Sequence, residues 1–114
     1  MDNNELETIR LAVYDVVRTI PYGRATSYGA IAKAIGFSNY SRLVGHIMAR
    51  CNSDENNIPA HRVVNSQGVL SGKDAFGLDN EMKKLLEAEG IAVVNDRIKD
   101  WRKVFWNPLE EINI

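Results

Sequence analysis

The sequence predicts a mainly α-helical fold with small β hairpins, ordered as a winged helix-turn-helix. An amphipathic period opens the chain, with Leu6, Ile9, Val13, Val16, Val17 and Ile20 recurring at helical steps. Short helical stretches then flank a turn at Phe37-Ser38-Asn39, with Gly36 ahead of it. Beyond them, Arg62-Val63-Val64 and Val69-Leu70-Ser71 read as paired strands about the turn Asn65-Ser66-Gln67-Gly68.

Each element has local chemistry behind it. Asn3 or Asn4 offers a cap for the first helix, Glu5 and Glu7 suit its positive end, and Pro21-Tyr22-Gly23 stops it. Ser27 caps a helix from Tyr28 to Ile35, and the next helix runs to about Cys51. In a helix-turn-helix the second helix enters a DNA groove, although helical hairpins also occur in domains that never meet DNA. The polar stretch Asn52 to Asn57 is a loop, as is Gly72 to Gly77. Asp79 or Asn80 caps a helix carrying Met82, Leu85 and Leu86, closed by Gly90. Ile91 to Val94 is extended, Asn95-Asp96 turns, and Arg97-Ile98-Lys99 returns. The aromatic tail of Trp101, Phe105, Trp106 and Pro108 is expected to pack back on the core.

Size and composition set bounds. At 114 residues, 45% of them hydrophobic and 25% charged, residues 1–114 are expected to form one globular domain. No apolar run reaches the length of a membrane span. Cys51 is the only cysteine, which excludes an internal disulfide and a cysteine metal cluster and fits a reducing, cytoplasmic setting. His46 and His61 alone make no typical metal site, no glycine-rich phosphate loop occurs, and no cofactor is implied. The net charge is -1, yet no acidic residue lies between Val16 and Ser53, where Arg18, Arg24, Lys33, Arg42 and Arg50 all fall. Such asymmetry gives one face a positive field suited to nucleic acid. A merely solvated basic face accounts for it equally well.

The most distinctive stretch is Ile58-Pro59-Ala60-His61-Arg62-Val63-Val64, an apolar, strand-like run. Pro59 fixes its own backbone and biases its predecessor towards an extended form, so Ala60 is held in a defined place. A proton shuttle and a fixed cation follow it, as beside a reactive side chain, and alanine has none.

This motif resembles the Pro-Cys-His-Arg-Val signature of the O6-alkylguanine-DNA alkyltransferases, with Ala60 at their nucleophilic cysteine. That substitution is the mark of the alkyltransferase-like proteins, and the resemblance extends over the whole chain. It implies roles for further residues. Arg42, in Ser41-Arg42-Leu43-Val44-Gly45, matches the arginine that fills the gap left by a rotated nucleotide, a role suited to a planar, always charged guanidinium. Gly45 fits a close approach, because glycine inside a helix costs about 1 kcal/mol. Tyr28 matches the tyrosine that rotates the DNA phosphate and lines the base pocket. Thr26, Ser27 and Tyr40 are expected to touch phosphate. Asn52 matches a structural asparagine that ties the helix-turn-helix to the active-site strand. His61 and Glu89 match the enzymes' relay, left with nothing to deprotonate. The carbonyls of Ala60 and Val63 would accept from the guanine amine, with Ile58, Pro59 and Val63 as an apolar wall for the alkyl group.

The resemblance thus implies a protein without catalysis, expected as a monomer. It would bind duplex DNA through the minor groove, flip O6-alkylguanine, and flag it for nucleotide excision repair proteins. Cys51 is a poor substitute nucleophile, since a helix C-terminus disfavours a thiolate. One rival reading is an alkyltransferase whose cysteine was replaced by alanine at position 60. Another is a winged-helix transcription regulator, which leaves Pro59-Ala60-His61-Arg62 unexplained.

Overall fold

A computed structural model of the chain describes residues 2–51, 57–77 and 79–111. The first helix, α1 (Asn3–Arg18), buries Ile9, Val13, Tyr14 and Val17 along one stripe. Its cap is Asp2 rather than Asn3 or Asn4: the Asp2 carboxylate accepts from the Glu5 N–H at 2.8 Å. Three polar residues precede the apolar period, and the local rule does not choose among them. The pair α2 (Tyr28–Ala34) and α3 (Ser41–Ala49) follows as expected, each slightly shorter than the periodicity predicts. Ser27 caps α2, accepting from the Ala30 N–H at 3.1 Å.

The run at residues 58–64 departs from the strand expectation. Ala60–Arg62 is a 3-10 turn, and only Val63–Val64 (β2) is extended. Pro59 sits at φ -82°, ψ 67° and brings the chain into this tight turn. β2 pairs in parallel with β1 (Thr26–Ser27), Thr26 opposite Val63 and Ser27 opposite Val64. It does not pair with residues 69–71 as a hairpin. The turn closes on Asn65 itself: its N–H donates to the Val69 carbonyl at 3.1 Å, and its Oδ1 accepts from the N–H groups of Gln67 and Val69, both at 2.9 Å. This turn sends the chain away from β2.

The returning segment joins a later hairpin instead. β3 (Val93–Val94) and β4 (Arg97–Ile98) pair antiparallel, as the sequence predicts. Val69 bridges to Arg97, and the Leu70 N–H donates to the Asp96 carbonyl at 2.8 Å. Between them lies α4 (Glu81–Ala88), with Asn80 at its N-cap in a left-handed conformation and making no side-chain cap bond. The chain closes with the short helices α5 (Trp101–Val104) and α6 (Pro108–Glu111).

The core has two lobes that meet at β1 and β2. One gathers α1, α2 and α3 with Ala60, Val63 and Trp106, and the other gathers Ala25, Val64, Leu70, Met82, Leu86, Ile91, Val93 and Ile98. Val63 and Val64 face opposite lobes because successive strand side chains alternate. The aromatic tail does pack back. Phe105 bridges to Ala25, and Trp106 is 3% exposed. Arg24 clasps this tail, donating to the carbonyls of Val104 at 2.9 Å and Phe105 at 2.6 Å. It is thus committed inward and is not part of a free basic face, and Arg18 pairs with Asp15. Lys33, Arg42 and Arg50 remain exposed.

No helix is long and apolar enough to cross a membrane among the described residues, and none of their His, Cys, Asp and Glu side chains cluster to hold a metal. Trp106→Ala is expected to destabilise the fold by about 3–5 kcal/mol, read from urea unfolding. A change below about 1 kcal/mol would mean that the tail is not part of the core.

Candidate nucleic-acid interface

The parallel β1–β2 pair brings the start of α2 beside the Pro59–Arg62 turn, so Tyr28 and Ala60 come together. They share a cavity with Met48, Ala49, Val63, Gly72, Phe76 and Met82. Ala60 is 4% exposed and forms part of its wall. The cavity is only about 10 Å³, room for about one water molecule. One side of it is covered by Gly72 and Phe76, which begin and end the segment containing the 3-10 turn Lys73–Phe76. The approach of this cover is close: a Cβ on Gly72 would meet the Tyr28 hydroxyl at 2.8 Å. Gly72, Met48, Ala49, Phe76 and Met82 carry no sequence signal for this role, because they converge from separate elements.

Ile58 and Pro59, expected in the same wall, line a different space. An outer cleft of about 640 Å³ opens beside them, with His61, Arg62, Leu85 and Phe76 also lining it. Phe76 belongs to both and separates the cavity from the cleft. Asn52 lies outside the described residues.

His61 and Glu89 are hydrogen-bonded to each other, and Arg62 joins them as a third member. The Glu89 side chain is 6% exposed. Its Oε2 accepts from His61 Nε2–H at 2.5 Å, both of its oxygens accept from Arg62 Nε at 3.0 Å, and Oε1 accepts from the Gly23 N–H at 2.7 Å. Burial pushes the Glu89 carboxyl up, but the Gly23 N–H, His61 and Arg62 outweigh it, and the group is held below the ordinary carboxylate range. An ionised Glu89 makes His61 Nε2 the donor. Arg62 also donates to the Ile20 carbonyl at 2.8 Å, so the network pins the segment just after α1. The Ala60 carbonyl accepts from the Val63 N–H, closing the 3-10 turn.

On the outer surface, Ser41 and Arg42 are exposed at the start of α3. Arg42 makes no hydrogen bond or ion pair among the described residues. Tyr40 precedes them, its ring stacked on Phe37 with centroids 5.2 Å apart. Gly45 faces the Tyr28 ring, yet a Cβ there would lie 3.9 Å from it, an ordinary contact. No described atom of the protein therefore demands glycine at position 45. Thr26 corrects the expectation of a phosphate contact. It is 0% exposed, and its Oγ1 has no partner among the described residues. Ser27 is 5% exposed with its oxygen engaged in capping α2.

Comparisons with known proteins place this geometry. The family described as 6-O-methylguanine DNA methyltransferase, DNA binding domain, matches residues 8–91. Alkyltransferase-like protein 1 of Schizosaccharomyces pombe is 35% identical, over 84% of this chain and 92% of that protein. A DNA base-flipping protein of Vibrio parahaemolyticus is 36% identical, over 90% of this chain and 100% of its own. The structure of S. pombe Atl1 in complex with damaged DNA containing O6-carboxymethylguanine matches with a TM-score of 0.78 and 34% identity, covering 93% of this chain and 98% of that one.

A buried hydroxyl without a partner costs about 1–3 kcal/mol. Thr26→Val keeps the shape and removes the orphan, so it is expected to raise stability by roughly 1 kcal/mol in denaturant unfolding. A fall in stability would show that the hydroxyl has a partner after all. For Glu89, the lowered folded pKa gives stability that is complete above the unfolded value near about 4.3. That stability is lost as pH falls through the folded value. Glu89→Gln should therefore cost most at neutral pH, with the gap to wild type narrowing below about pH 4. A gap constant with pH would mean that the Glu89 charge contributes nothing.

Proposed function

The chain belongs to the 6-O-methylguanine DNA methyltransferase family, through its DNA-binding domain, and we propose that it recognises O6-alkylguanine in duplex DNA and holds it without repair. The observation that carries this reading is Ala60: the family's pocket and relay surround a side chain with no nucleophile. Two relatives that span nearly the same length are named for alkyltransferase likeness and base flipping, and a third match is to a protein bound to damaged DNA. These support a binding role in place of catalysis.

In this account DNA lies against the start of α2 and along α3. Arg42 enters the duplex from α3 and takes the place of the extruded guanine. Its exposure and lack of an internal partner leave it available. Extrusion costs a few kcal/mol, which a stacked guanidinium offsets. Gly45 gives the sugar-phosphate backbone a close approach, consistent with the absence of any protein atom that needs the space. The extruded base passes Tyr28 to reach Ala60 and Val63. The cavity is far too small for a purine, so the Lys73–Phe76 cover must swing outward on binding. Opening it would break the surface pair of Lys73 with Asp96 at 2.6 Å and lift Phe76 from both core lobes. With cysteine absent, the alkyl group stays on the base. Its removal falls to a process acting on the marked duplex, and nucleotide excision repair is the class suited to it.

Anisotropy titrations at fixed salt, with one duplex carrying a single O6-methylguanine and the same duplex undamaged, test this. Clear preference for the lesion is expected, with the methyl group still on the DNA afterwards. Arg42→Ala should weaken lesion binding by about tenfold or more while leaving the thermal midpoint in place. Gly45→Ala should stabilise the free protein by up to about 1 kcal/mol yet weaken binding. Equal affinity for both duplexes, or a methyl group lost from the DNA, would sink the proposal.

A further inference from the structure

A second concave surface lies between α1 and the helix-turn-helix turn. It is a groove of about 530 Å³ and shares no lining residue with the Ala60 cavity or the outer cleft. Ile9, Ala12, Ile35 and Phe37 supply apolar lining, and Asp2 and Glu5 supply acidic lining. Phe37 is 43% exposed although its ring stacks on Tyr40. The two acids stand apart from others on the same helix. Glu7 pairs with Arg10 and Asp15 with Arg18, whereas Asp2 and Glu5 form no ion pair among the described residues. One oxygen of Asp2 caps the Glu5 N–H, and Glu5 in the first turn suits the positive end of α1, yet both carboxylates are exposed and line the groove.

From this juxtaposition of unpaired carboxylates and an exposed apolar lining, we propose that the groove docks a cationic, apolar-anchored segment of a partner protein. The charges select the occupant. Nucleic acid and anionic lipid would meet two like charges and are disfavoured. A basic side chain on the segment finds a carboxylate, one helical turn from the next, while an apolar neighbour covers Phe37 and Ile35. The volume falls within the range of ordinary binding clefts. Tyr40 lines this groove and directly precedes Ser41 and Arg42. A docked segment would therefore sit at the edge of the surface assigned above to DNA, with its remaining basic groups near the phosphates. The groove stands independently of lesion binding, and its test does not involve the Ala60 pocket.

The probe is a short amphipathic peptide of lysine and leucine, beside its counterpart with glutamate at every lysine, each titrated into the isotope-labelled full chain and followed by amide shifts. The lysine peptide should move Thr8, Ile9, Ala12, Ile35 and Phe37, and the glutamate peptide should not. Asp2→Asn keeps a capping residue while removing the charge. Combined with Glu5→Lys it should weaken the lysine peptide about tenfold, with no fall in affinity for the O6-methylguanine duplex. Phe37→Ala, at an exposed ring outside both core lobes, should weaken the peptide as well. Equal binding of both peptides, shifts centred on the outer cleft, or unchanged affinity in the charge variant would overturn the proposal. So would concentration-dependent shifts of the same amides in the chain alone, which would assign the groove to a second copy.

Discussion

The Glu89 carboxylate is the contact on which the architecture of the site depends. One nearly buried anion gathers a backbone N–H from the turn after α1, an imidazole and a guanidinium from the turn after Pro59. Each partner alone would be a costly buried polar group; together they satisfy the charge and one another. Arg62 then passes the restraint to the Ile20 carbonyl, and its guanidinium lies 5.8 Å from the centre of the Tyr22 ring. Three segments remote in sequence are thereby held in one arrangement, and Ala60 is the residue they frame. In the enzymes that the motif resembles, such a network would tune a thiol. Here it fixes a shape.

That difference clarifies what alanine does at this position. A catalytic site needs its groups poised before substrate arrives. A binding pocket can stay closed and be opened by what it binds, and the proposed reading asks this of the cavity of about 10 Å³ beside Ala60. The residues that close it are small or apolar: Gly72 against the Tyr28 hydroxyl, and Phe76 at the partition with the outer cleft. On the proposed reading, selectivity would reside in the work of displacing this cover, offset by what the guest contacts once inside.

Local chemistry was legible and long-range pairing was not. The Ser27 cap, the amphipathic α1 and the β3–β4 turn follow from rules that act within a few residues. The Ala60 motif, with His61 and Glu89, could be matched because it is a contiguous string with one distant partner. By contrast, the pairing of Thr26 with Val63 leaves no trace in either segment, so Thr26 read as a surface hydroxyl when it is buried. The hairpin expected after Val64 does not extend past Asn65, because Val69 and Leu70 pair instead with Arg97 and Asp96, partners remote in sequence. Arg24 counted as surface charge until the tail it clasps was in place. The cover residues were hidden because a cavity wall is assembled by the fold.

The clasp between Arg24 and the carbonyls of Val104 and Phe105 joins positions 80 and 81 residues apart. Loop closure over such a span is entropically expensive and comes late, after local helices have formed. The strand it supports, Thr26–Ser27, leads directly into Tyr28. On a ribosome, where synthesis runs from the N-terminus, the helix-turn-helix can therefore be made long before its neighbouring strand is buttressed. A segment made some 80 residues later completes the support for the strand that leads into Tyr28, so a product truncated before Val104 would carry α2 and α3 without the contact that buttresses that strand.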